Sequence, residues 1–143
     1  MITVTKIFNF EMAHALNNYN GVCSNIHGHS YKLEVSVTGE IINDKNSPKF
    51  GMIIDFKDLK SIVNNVIINN FDHFLVLNKE TDENLKNLLK RNYQNIKFVN
   101  FQPTNENLLL YFADLINAEL PKNVHLYRLK MYETETSFAE LIG

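Results

Sequence analysis

Apolar side chains recur at every second position near the start of the chain. In "TVTKIFNFEMAH", Val4, Phe8, Phe10, Met12 and His14 share one parity, which places them on one face of an extended strand. In "HSYKLEVSVTGE" the alternation is cleaner: Tyr31, Leu33, Val35 and Val37 fall on one side, and Lys32, Glu34, Ser36 and Thr38 on the other. His27 and His29 share the parity of that apolar face. The pattern predicts two antiparallel strands joined by a long loop, from Asn17 to Asn25, that carries Cys23.

The period then changes. In "MIIDFKDLKSIVNNVIINN", Leu59, Ile62, Val63, Val66 and Ile67 recur at helical spacing behind Asp55 or Asp58 as a cap. "TDENLKNLLKRN" predicts a short second helix led by Thr81 or Asp82, and "IKFVNF" a strand. In "PTNENLLLYFADLINAELP", Leu108, Leu109, Phe112, Leu115 and Ile116 form an apolar stripe, Thr104 is the cap, and Pro121 ends the helix. "VHLYRLKMYET" returns to alternation before a short tail. These elements predict an α+β domain, with a four-stranded antiparallel sheet and two main helices on one face. Long strands with apolar residues of both parities imply that the other face is covered by another subunit.

The chain of 143 residues, 45% hydrophobic and 21% charged, suits a single domain spanning residues 1–143. A net charge of -2 provides no basic field for nucleic acid or an anionic membrane. No apolar run approaches the roughly 20 residues of a membrane span, so a soluble cytoplasmic protein is expected. The single cysteine cannot form an internal disulfide, in keeping with a reducing compartment.

Several residues could carry chemistry. His14, His27 and His29 lie on one predicted face at the ends of neighbouring strands, and three imidazoles with one open position are a common set for catalytic zinc. They could equally be unconnected polar residues at strand ends. Cys23 could be a fourth ligand closing a structural site, a base or nucleophile with a depressed pKa, or an inert small hydrophobe. Asp72 and His73 could pair as an acid/base couple if the backbone turns there, or simply mark a polar helix exit. Glu133, at the end of the last strand, could accept two hydrogen bonds from the amidine-like edge of a heterocycle or be a solvated strand terminus. Glu106 has the same ambiguity, because an acidic residue in a first helical turn is favoured by the helix dipole alone.

Taken together and in order, "FNFEMAHAL", "CSNIHGHSYKLEVSVTGE", "GMIIDFKDLK", "FDHFLVLN", "PTNEN" and "YETETS" resemble the 6-pyruvoyltetrahydropterin synthase family. The resemblance is strongest to its branch that makes a carboxytetrahydropterin for queuosine biosynthesis, and it runs from residue 7 to residue 138. It implies the tunnelling fold, whose subunits join their sheets into a barrel, usually as a homohexameric dimer of trimers with sites at interfaces. It also implies a zinc-dependent lyase acting on a dihydropterin triphosphate. In that family the histidines matching His14, His27 and His29 bind zinc, and the cysteine matching Cys23 is the general base. The residues matching Asp72 and His73 form a proton relay. The glutamate matching Glu133 anchors the pterin, and the one matching Glu106 lies near it.

Three residues separate Cys23 from His27, the short spacing of the carboxytetrahydropterin branch, whereas the pyruvoyl branch resembles a longer segment. No glutamate lies between them, unlike the folate-related branch. The segment 79–102 is longer than in many members, Met12 stands where alanine is usual, and Phe71 where leucine is common before Asp-His. The implied reaction converts 7,8-dihydroneopterin triphosphate to 6-carboxy-5,6,7,8-tetrahydropterin with release of triphosphate and acetaldehyde. A pyruvoyltetrahydropterin synthase or related side-chain lyase is the enzymatic alternative, and a non-catalytic zinc or pterin-binding module the other.

Overall fold

The computed structural model describes residues 1–17 and 25–143. Two long strands, β1 (Thr3–His14) and β2 (His27–Gly39), pair antiparallel in the register set by their alternation. Phe10 lies opposite Tyr31, Met12 opposite His29, and His14 opposite His27. Strand β2 continues the sheet through β5 (Val124–Tyr132), with a register irregularity at Ser36/Val37, and β5 pairs antiparallel with β6 (Phe138–Ile142).

On the other side of β1 the sheet becomes parallel. Strand β3 (Phe74–Asn78) pairs with β1, and β4 (Ile96–Val99) pairs with β3, giving the order β4-β3-β1-β2-β5-β6. The expected four-stranded antiparallel sheet is therefore a mixed six-stranded one. Strand β3 leaves no alternation in the sequence because "FLVLN" is a short, continuous apolar run, and its existence depends on a sharp reversal just before it. That reversal is His73, with φ of +63°, the only non-glycine residue at positive φ among the described residues. Strand β6 reads as a tail in the sequence because its strand state comes from pairing with β5.

The main helices form as their caps and stripes require. Helix α1 (Phe56–Val63) starts at Asp55, whose carboxylate accepts from the Lys57 N–H, and runs on through a π-helical stretch (Asn64–Ile68) into α2 (Asn69–Phe71). Helix α3 (Glu83–Asn92) starts at Asp82, and α4 (Asn105–Asn117) at Thr104, whose hydroxyl accepts from the Asn107 N–H. Leu59, Val63, Ile67, Leu108, Phe112 and Ile116 of the α1 stretch and α4 pack on Phe10, Tyr31, Leu33 and Leu129 in one core. A stacked pair, Phe10 on Tyr31 at 5.1 Å, lies at its centre.

The longer segment 79–102 supplies α3 and β4. Lys86 and Lys90 of α3 lie over Phe98, a residue of the sheet face opposite the core, so α3 covers the β3–β4 edge on that second face. No helix among the described residues is long and apolar enough to cross a membrane.

Candidate metal centre and proton relay

The end of the β1–β2 hairpin brings His14, His27 and His29 together on the core face. Their ligand nitrogens all lie within 4.8 Å of one another, and the rings meet edge-on at centroid distances of 4.6, 4.9 and 5.2 Å. Backbone acceptors fix two of the rings. His14 Nδ1 donates to the Pro103 carbonyl at 2.7 Å, and His27 Nδ1 to the Asn25 carbonyl at 2.8 Å. A carbonyl can only accept, so each Nδ1 carries a proton and each Nε2 presents its lone pair inward. The two Nε2 atoms are 3.1 Å apart, close to the roughly 3.3 Å between ligands of a tetrahedral ion bound at about 2.0–2.1 Å.

Burial depresses the pKa of His14, which is 2% exposed; the Pro103 carbonyl opposes the shift, and His27 and His29 add to it. His29 is also held low, first by burial and then by His27, against the pull of Glu133. His14 and His29 are thus biased toward neutral imidazoles, the form that binds a metal. Three imidazole nitrogens this close together fit a divalent ion with imidazole preference, and zinc is such an ion.

Glu133 follows β5 on the face of the trio, in parity with buried Met131, and its backbone N–H donates to the Ser137 carbonyl at 3.1 Å. Its charge reaches both His29 and Tyr31. The Tyr31 hydroxyl is buried without a partner among the described residues, and burial together with Glu133 pushes its pKa up. Glu106 lies exposed in the first turn of α4 and makes no hydrogen bond or ion pair among the described residues. Its neighbour Asn105, in the same first turn but with no chemistry suggested by the sequence, is buried, and its Nδ2 donates to the Met131 carbonyl at 2.8 Å. Its Oδ1 is buried without a partner, an arrangement that costs about 1–3 kcal/mol.

Asp72 and His73 do meet. The Asp72 carboxylate lies 3.0 Å from His73 Nδ1 and accepts from the Glu11 N–H at 2.9 Å. The His73 N–H donates to the Glu11 carbonyl at 2.6 Å, and Asn95 Nδ2 donates to the His73 carbonyl at 3.3 Å. Those contacts hold the left-handed backbone at His73. The imidazole, 72% exposed, opens into a groove of about 930 Å³ bordered by Glu11, Ala13, Ser30, Tyr93 and Asn95. Glu11 and Ala13 alternate with Met12 and His14 along β1, so the side chains they offer the groove face away from the imidazole trio, although His29 and Met12 also border it. The structure therefore brings the imidazole trio together with Glu133, and Asp72 together with His73, but directs the two groups of side chains to opposite faces of the sheet. Cys23 lies outside the described residues.

Solved structures with this fold include the 6-pyruvoyl tetrahydropterin synthases of Plasmodium falciparum and Caenorhabditis elegans. The first is matched with a TM-score of 0.74 over 98% of this chain and 96% of that one at 23% identity, and the second with a TM-score of 0.69 over 99% and 95%, also at 23% identity. The fold is thus that of the pterin-synthase class. A family model described as 6-pyruvoyl tetrahydropterin synthase matches residues 3–143, and the chain belongs to that family. A 6-carboxy-5,6,7,8-tetrahydropterin synthase of Haemophilus influenzae is 34% identical over 142 residues, covering 98% of both chains. One of Rickettsia typhi is 31% identical over 99% of this chain and all of its own. The 6-pyruvoyl tetrahydrobiopterin synthase of Drosophila melanogaster is 32% identical over 94% of this chain and 66% of its own.

Proposed function

We propose that this chain is a zinc-dependent lyase that converts 7,8-dihydroneopterin triphosphate and one water to 6-carboxy-5,6,7,8-tetrahydropterin, releasing triphosphate and acetaldehyde. The observation that carries the reading is the inward-facing imidazole trio beside Glu133. The names of relatives about a third identical over nearly the whole chain support the carboxy product, as does the short spacing from Cys23 to His27.

His14, His27 and His29 would hold the ion. When bound, zinc supplies Lewis acidity, polarising the hydroxyl and carbonyl oxygens of the pterin side chain. Glu133 accepts hydrogen bonds from the donor edge of the pterin ring and fixes its orientation, with Glu106 nearby. Cys23 removes a proton from the side-chain carbon as a thiolate. His73 is the partner acid/base: its Nδ1 is committed to Asp72, which leaves Nε2 free to pass a proton in the groove.

Because the trio and the Asp72–His73 pair lie on opposite faces, a complete site combines one copy's metal centre with another copy's relay. This supports a homo-oligomer with sites at subunit interfaces; the family resemblance alone suggests that it is a dimer of trimers acting in the cytoplasm. The reaction is tested by coupling acetaldehyde release to an NADH-dependent alcohol dehydrogenase: zinc-loaded protein given dihydroneopterin triphosphate consumes NADH. Absence of acetaldehyde with substrate consumed would replace this lyase assignment with another.

A further inference from the structure

We infer that Asn105 is a positioning residue that ties the metal ligand His14 and the substrate anchor Glu133 into one frame. The inference rests on the metal and pterin roles proposed above. His14 is oriented by the Pro103 carbonyl, two residues before Asn105. Glu133 stands two residues beyond Met131, whose carbonyl receives the Asn105 Nδ2 hydrogen bond. The tripeptide Pro103–Thr104–Asn105 therefore spans from the end of β1 to the end of β5, and it is anchored by one hydrogen bond at each end.

Between those anchors, Thr104 caps α4 and fixes the tripeptide to the start of a helix packed into the core. The Asn105 side chain is 6% exposed, and its Oδ1 is left without a partner among the described residues. A buried amide kept with one end unpaired is explained by the other end: the Nδ2 bond is what holds the Pro103 turn at a fixed distance from β5. Without it the turn is free to move away from the sheet, and the Pro103 carbonyl moves with it. The His14 ring then loses the acceptor that aims its Nε2 at the other two imidazoles.

The test compares Asn105→Ala and Asn105→Asp with the native protein and with Ile116→Val. Ile116→Val trims a buried side chain in the last turn of α4, lowering stability without touching either hydrogen bond. The first readout is the zinc dissociation constant by competition with a chromophoric chelator. Outer-shell partners of metal ligands are worth about 10–100-fold in affinity, so both Asn105 variants should bind zinc at least about tenfold more weakly. Asn105→Asp is the sharper probe: it is isosteric but sets an acceptor against the Met131 carbonyl, so it should bind no better than Asn105→Ala. Ile116→Val should keep native zinc affinity.

The second readout is KM for the dihydropterin, which should rise in both Asn105 variants and stay unchanged in Ile116→Val. Asn105→Ser replaces the alanine variant if that chain does not fold, with the same expectation. Native zinc affinity in folded Asn105 variants, or an equal loss in Ile116→Val, would overturn the positioning role. If the native protein itself binds no zinc, the metal-centre reading fails instead, and the two failures are told apart by that first measurement.

Discussion

His14 Nε2 and His27 Nε2 face each other across 3.1 Å while the Nδ1 atoms of both rings donate to backbone carbonyls. Two lone pairs at that separation repel unless a proton or a cation lies between them. A metal ion held with His29 would relieve that repulsion, and under the proposed function one zinc per chain is expected by elemental analysis. His27→Ala removes a ligand and leaves the others in place, so affinity should fall by at least about a hundredfold, more than loss of an outer-shell partner causes. Unchanged stoichiometry in His27→Ala would remove that residue from the ligand set.

Cys23→Ala separates a base from a ligand. Zinc content should stay near one per chain while kcat falls by at least about a hundredfold, the lower end of what a positioned general base contributes. Loss of zinc along with activity would make Cys23 a fourth ligand of a closed site.

The opposite placement of the trio and the relay makes a prediction about mixtures. His29→Ala and His73→Ala should each be inactive alone. When the two are refolded together at equal amounts, a site that combines two copies finds both intact halves in about a quarter of cases, and activity should return to that level. If each chain used its own relay, the mixture would remain inactive.

Protonation of His14 and His29 should set the acid limit of the metal-free protein. Burial holds the pKa values of His14 and His29 below the ordinary histidine value of 6.5, so the unfolded chain binds more protons between the folded and unfolded pKa values. Their contribution to stability is fully present above about pH 6.5 and is lost as pH falls through the depressed folded values. The Tm of metal-free protein should therefore drop as pH is lowered from 7 to 5, with a shallower fall in His14→Gln. Equal slopes for the two proteins would deny His14 this role.

The sequence carried the hairpin and its site because strand alternation is local. The common parity of His14, His27 and His29 with Phe10 and Tyr31 is enough to place three rings on one face, and the cap residues Asp55, Asp82 and Thr104 lead their helices as expected. What it did not carry depends on partners. "FLVLN" becomes a strand because β1 and β4 flank it in parallel, and "FAELI" because β5 pairs with it. The Asp72–His73 contact was legible as a possibility only, since it required a backbone turn that the structure supplies at His73. Asn105 was hidden in plain view within "PTNEN". Its hydrogen bond to Met131 crosses 26 positions of chain, and the only local signal was a polar residue at the buried start of an apolar helix.

The central claim is tested most directly by the identity of the product. Zinc-loaded protein incubated with 7,8-dihydroneopterin triphosphate should yield 6-carboxy-5,6,7,8-tetrahydropterin by mass spectrometry, with free triphosphate in equal amount. A pyruvoyltetrahydropterin, or unchanged substrate, would contradict it.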